Sequence, residues 1–283
     1  MLRFTATAAA VASLAALAAT PLAQAQTVFT ANGNAAGITA TVDSFRSALG
    51  ALNPNQPVNF AGGRREINWD AVPDARADPN LFPGSFFNGS VSPRARGISF
   101  STPGTGFLVS ANAGAGASVA FGFANDFVPF SAQRMFSSLG STITDVRFFS
   151  PLDQTTVATT RGFGAVFEDV EVAGLTRLEY YGLGNQLLAT VLVPEGASGG
   201  LSFGGAMFAS SVVARVRIFS GDAPLLGNSL LGAGRDSVVM DDFIYGEMKA
   251  VPEPATWALM LGGLAGIAGL AQRRRRSGQA TAA

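Results

Sequence analysis

From Gly97 onward the chain is a succession of short apolar or alternating runs: GISFS, GFLVSA, TDVRFFS, TRGFGAVF, TRLEYY, LLATVLV, LSFGGAMF, VVARVRIFS and VVMDDFIY. They recur roughly every 10 to 15 residues, with Gly, Pro, Asn and Asp between them. Such runs are too short for packed helices but fit strands, whose residues point alternately to opposite faces. The pattern predicts a mainly β protein, a jelly-roll-like β-sandwich. YYGLGNQLLATV reads as a hairpin turning at Gly184-Asn185. FVPFSAQRMFSSLG interrupts the strands and reads as a loop with a helical turn. STPGTGF and FGGAMF match no nucleotide-binding loop and are assigned to turns and bulges.

Upstream the texture differs. MLRF, an alanine-rich apolar run and PLAQAQ, ending in Ala23-Gln24-Ala25, give the order of charge, apolar core and small-x-small expected of a signal peptide helix over residues 1–25. Signal peptidase is the implied partner, with cleavage before Gln26. The body is then 26–250, with an irregular part at 26–96 and a strand-rich part at 97–248. In the irregular part, Val42, Phe45, Leu49 and Leu52 recur at three- and four-residue steps and predict one helix over Ala40 to Leu52, ended by Asn53-Pro54. Arg65 to Asp70 is a single extended piece among Pro, Asn, Asp and Gly.

Two residue types are missing. The chain has no Cys and no His, which excludes disulfides, thiolate–zinc sites and imidazole-based triads. Carboxylates, Tyr, Arg, Ser/Thr or an oxygen-bound cation must carry any chemistry. With Arg3, Arg273 to Arg276 and Glu253 set outside the body, 14 basic residues face 18 acidic ones, a formal charge of −4. No basic patch of the body is suited to nucleic acid.

Strand parity sorts the candidate site residues. In TRLEYY and VVARVRIF, Arg177, Glu179, Tyr181, Arg215 and Arg217 fall on faces opposite Leu178, Tyr180, Val216 and Ile218. Such a polar, aromatic-bearing face could hold sugars, with Trp69 of INWDAVP as a stacking candidate. An ordinary solvated face with cross-strand ion pairs is the simpler account. In VVMDDFIYGE, parity sets Asp241 with Val239, Phe243 and Tyr245, and Asp242 with Val238, Met240 and Ile244. Both faces are apolar, so one carboxylate points inward and needs a partner. A structural calcium on Asp241, Asp242 and Glu247 would supply one, although the spacing matches no EF-hand loop. Glu168, Asp169 and Glu171 form a second acidic cluster. A carboxylate pair across a cleft would permit glycan hydrolysis or cleavage by a lyase.

The C-terminal stretch VPEPATWALMLGGLAGIAGLAQRRRR combines Val251-Pro252-Glu253-Pro254, an uncharged span from Ala255 to Ala271, and Arg273, Arg274, Arg275 and Arg276. As a transmembrane helix the span would reach about 26 Å at 1.5 Å per residue, the short limit for a bilayer core of about 30 Å. The arginines would stay cytoplasmic and the body would lie across the membrane. In that order the three elements over 251–276 resemble the PEP-CTERM sorting signal of Gram-negative bacteria. The resemblance implies recognition by an exosortase, cleavage near Pro252-Glu253-Pro254, an intermediate anchored in the inner membrane, and release toward the cell surface. It also implies a link to exopolysaccharide and biofilm production. The resulting expectation is a non-catalytic polysaccharide-binding or purely structural matrix protein, with a carboxylate-dependent glycan hydrolase or lyase as the alternative.

Overall fold

The computed structural model describes residues 25–112, 119–124, 126–225, 235–251, 259–265 and 267–268. The signal peptide expected over residues 1–25 lies outside these residues except for Ala25, as do Pro252 to Pro254 and Arg273 to Arg276. In chain order the elements are β1 (Gln26–Gly33), α1 (Ala35–Leu49), β2 (Arg64–Ile67), β3 (Ile98–Ser101), β4 (Gly106–Val109), β5 (Phe136–Leu139), β6 (Ile143–Phe148), β7 (Ala158–Thr159), β8 (Gly162–Glu168), β9 (Arg177–Tyr181), β10 (Leu187–Leu192), β11 (Leu201–Phe208), β12 (Arg215–Phe219), β13 (Val239–Gly246) and β14 (Lys249–Ala250). One sheet runs β1-β11-β8-β13-β5-β4, with β2 also on β13, and the other runs β10-β9-β12-β6-β3. All the strand pairs within them are antiparallel.

The two sheets share one core. Phe163, Phe167, Phe243 and Tyr245 of the large sheet meet Val146, Leu178, Tyr180 and Ile218 of the smaller one. Tyr180 is fully buried, and its hydroxyl donates to the Phe163 carbonyl across the gap at 2.8 Å. Trp69 belongs to this core as well. It stacks on Phe136 at 4.2 Å and donates its Nε1–H to the Asp241 carbonyl. At 1 % exposure it cannot stack on a sugar, which corrects its assignment to a glycan face. A large ring whose single polar atom finds a backbone acceptor is more stable inside than out.

The outer face of the large sheet is covered too. Ile38, Val42, Phe45 and Leu49 of α1 pack on Val166, Leu201, Phe203 and Ile244. Asn34 starts this helix by accepting the Gly37 N–H, and Gly50, at φ +106°, stops it. The helix therefore begins and ends earlier than the periodicity indicates, and Leu52 is exposed. Beyond the helix, Leu108, Phe121, Phe127, Met135 and Val239 close the rest of that face. The glycines of FGGAMF lie within β11, not in a turn. Gly205 faces Gly164 of β8, and a Cβ on Gly164 would meet the Phe203 and Phe45 rings at 2.8 and 2.9 Å.

Residues 26–96 are less irregular than expected, since β1, α1 and β2 all build the large sheet or its cover. At the other end β14 pairs with β7, and the Val251 N–H donates to the Val157 carbonyl at 2.9 Å. The chain is thus fastened to the body at the very start of the C-terminal stretch 251–276. Residues 259–265 and 267–268 are helical and exposed. Among the described residues no helix is long and apolar enough to cross a membrane.

Candidate functional site

With most of the large sheet covered on both faces, the outer face of the five-stranded sheet presents rows of strand side chains to solvent. Register aligns them in rows. Arg215 of β12 lies between Tyr181 of β9 and Arg147 of β6, and Arg217 lies between Glu179 and Asp145. Phe219 lies between Arg177 and Ile143. The structure therefore brings Arg177, Glu179, Tyr181, Arg215 and Arg217 together as parity indicates.

Most of these groups are paired. Arg217 donates twice to Asp145, at 2.9 and 2.7 Å, and Arg215 donates to Asp145 at 2.7 Å and to the Asn185 side chain at 2.7 Å. Partial burial raises the Asp145 carboxyl, but the hydrogen bonds from Arg217 and Arg215 outweigh it and hold the group below the usual carboxylate range. Arg215 lies over the Tyr181 ring at 3.9 Å, and Arg177 over the Phe219 ring at 3.6 Å. Glu179 accepts from Arg177 and from the Tyr181 hydroxyl. Beside these pairs is a hollow of about 460 Å³, lined by Arg147, Phe149, Val157, Leu183, Asn185 and Arg215. Asp145, Arg147 and Asn185 were not singled out from sequence. The same parity applied to TDVRFF, where Val146 and Phe148 are core, would have placed the first two.

The acids of β13 occupy a different place. Between β8 and β13 the register passes from Met240↔Phe167 to Phe243↔Ala165, so β13 carries one extra residue, a β-bulge at Asp241-Asp242. The bulge shifts the parity. Val238, Met240, Phe243 and Tyr245 all belong to the inter-sheet core, while Val239 and Ile244 face the outer clusters. This corrects the faces read from strict alternation. Both carboxylates meet Ser131, whose hydroxyl lies 3.1 Å from Asp241 and 2.8 Å from Asp242. Asp241 also accepts the Phe130 and Ser131 N–H groups. Asp242 accepts from Arg46 at 2.8 Å, and Arg46 reaches Glu66 at 3.1 Å. Burial, followed by the Asp242 charge, pushes the Asp241 carboxyl well above its ordinary range, and burial raises Asp242 as well. Arg46, Asn53, Glu66, Ser131 and Asp242 border a hollow of about 350 Å³.

Glu247 has a separate partner. It pairs with Arg65 at 2.8 and 3.0 Å, both side chains fully buried, and also accepts from Asn53. Among the described residues no group of three or more carboxylates is placed to hold a metal ion, so Asp241, Asp242 and Glu247 are not one cluster. Glu168, read from the sequence as part of an acidic cluster, ends β8, and its burial is not legible in the sequence. Its carboxyl is wholly buried, and neither oxygen has a hydrogen-bond partner among the described residues. Burial first, then the charges of Asp241 and Asp169, push it well above its ordinary range.

Comparison with protein families adds one finding. Residues 250–276 match the PEP-CTERM protein-sorting motif. The motif marks an exported protein, anchored at a membrane while exosortase processes it. Comparison with curated proteins and with solved structures gave no match.

Proposed function

We propose that this protein is a non-catalytic polysaccharide-binding component of an extracellular matrix or biofilm, displayed by a Gram-negative bacterium after its tail is removed. The binding unit is a jelly-roll-type sandwich. The observation that carries the reading is the ladder of arginine, carboxylate and tyrosine on the outer face of the five-stranded sheet, with its adjoining hollow. Val157 lines that hollow and accepts the Val251 N–H, so the tail leaves the body beside the face. Pull-down of the purified protein by the exopolysaccharide of its own source tests the proposal. Retention that falls when Arg215 and Arg217 are replaced by Gln supports it. Equal recovery with and without polysaccharide contradicts it.

A second reading, glycan cleavage, rests on the 350 Å³ hollow, where Glu66 and the raised Asp242 carboxyl share Arg46. An acid with a raised pKa beside a second carboxylate is the pairing glycosidases use. New reducing ends that appear with the wild type and are lost with Asp242→Asn would favour it over binding alone.

A further inference from the structure

The outer face of the smaller sheet has more guanidinium than it neutralises. Arg147, Arg177, Arg215 and Arg217 stand there with only Asp145 and Glu179 in the same ladder. Arg215 and Arg217 share Asp145, and Arg177 takes Glu179. Arg147 is exposed, and its guanidinium has no hydrogen-bond or ion-pair partner among the described residues. It also stands directly opposite Arg215 across the β6–β12 pair, and like charges in that position oppose sheet formation. Asp145 neutralises Arg215, but no contact among the described residues neutralises Arg147.

The surroundings narrow what would. Tyr181 and Phe219, the aromatic rings of the ladder, are already covered by guanidinium, and Trp69 is inside the core. The hollow beside Arg147 has an apolar wall of Phe149 and the exposed Val157 and Leu183, and a polar end at Asn185 and Arg215. A sugar ring can lie on such a wall, but the unmatched group calls for an anion. A planar carboxylate matches a guanidinium through two parallel hydrogen bonds, which a neutral hydroxyl cannot do.

Building on the polysaccharide-binding reading, we propose that the ligand is an acidic polysaccharide, a uronate-bearing chain whose carboxylate is held by Arg147 in this hollow. Arg147 is then the residue that selects charged over neutral glycans. Partial exposure of the site makes the affinity sensitive to salt.

Equilibrium binding of the purified full-length protein to polygalacturonate, to its carboxyl-reduced form and to dextran tests this. Arg147→Gln should weaken polygalacturonate binding by about tenfold or more. Arg147→Lys should restore part of it. Arg76→Gln removes the same charge from an exposed short turn outside the hollow and should leave binding unchanged. Thermal melting should show all three variants folded. Binding to dextran or the reduced polymer as tight as to polygalacturonate, with Arg147→Gln unaffected, would overturn the uronate assignment but leave polysaccharide binding standing. An equal loss in Arg147→Gln and Arg76→Gln would also overturn it, as an effect of net charge alone. No binding to any of the three would overturn the uronate assignment, while the pull-down with the source exopolysaccharide decides the binding reading.

Discussion

Two buried acids show how differently the same group behaves with and without a partner. Glu247 is matched by Arg65, which also donates to the Val58 and Ala95 carbonyls. Replacing Glu247 by Ala leaves that guanidinium buried without its counter-charge. A loss of about 3–5 kcal/mol in unfolding free energy is expected by urea titration. Glu168 has no such match among the described residues, and burial raises its pKa, which favours the neutral acid in the folded chain. Below about pH 4.3 folded and unfolded chains are both protonated there, and the folded state bears no ionisation penalty. As pH rises the unfolded chain ionises first, so stability falls until the folded pKa is passed. Glu168→Gln removes the titrating group and should therefore reduce the decline in melting temperature as pH rises above about 4.3. Parallel pH profiles for the two proteins would refute this account of Glu168.

At the scale of elements, side-chain room is fixed by a few glycines. A Cβ on Gly164 would enter the space of Phe45 and Phe203, the contact that seats α1 on the large sheet. Gly164→Ala should cost about 1–3 kcal/mol through this overpacking, seen as an earlier denaturation midpoint. The nine apolar runs were legible as strands because turn residues separate them and their apolar positions fill the inter-sheet core and its two outer clusters. Both β1 and β5 were not. In β1 most residues are exposed, as suits an edge strand, and too few are apolar to mark a face. β5 buries Ser137 and Ser138 inside a segment that reads as a loop. The helix was legible, but its first turn depends on the Asn34 cap and its end on Gly50. Parity placed the arginine ladder correctly and failed at Asp241-Asp242, where one extra residue shifts every later side chain. Trp69 was misplaced because sequence shows that a ring stands beside an acid but not which way it turns.

Over the whole molecule the two sheets divide the work. The large sheet is held between the shared core on one side and α1 with the 119–135 region on the other. The smaller sheet leaves its charged face open, and the chain departs toward its sorting motif beside that face. The motif carries this body through export and membrane-anchored processing. Its placement depends on the tail being temporary. Intact-mass spectrometry of the protein recovered from its final location tests that most directly. The account predicts a chain that starts at Gln26 and ends near Pro252-Glu253-Pro254, without Arg273 to Arg276. A recovered mass that still includes the uncharged span and the four arginines would contradict it.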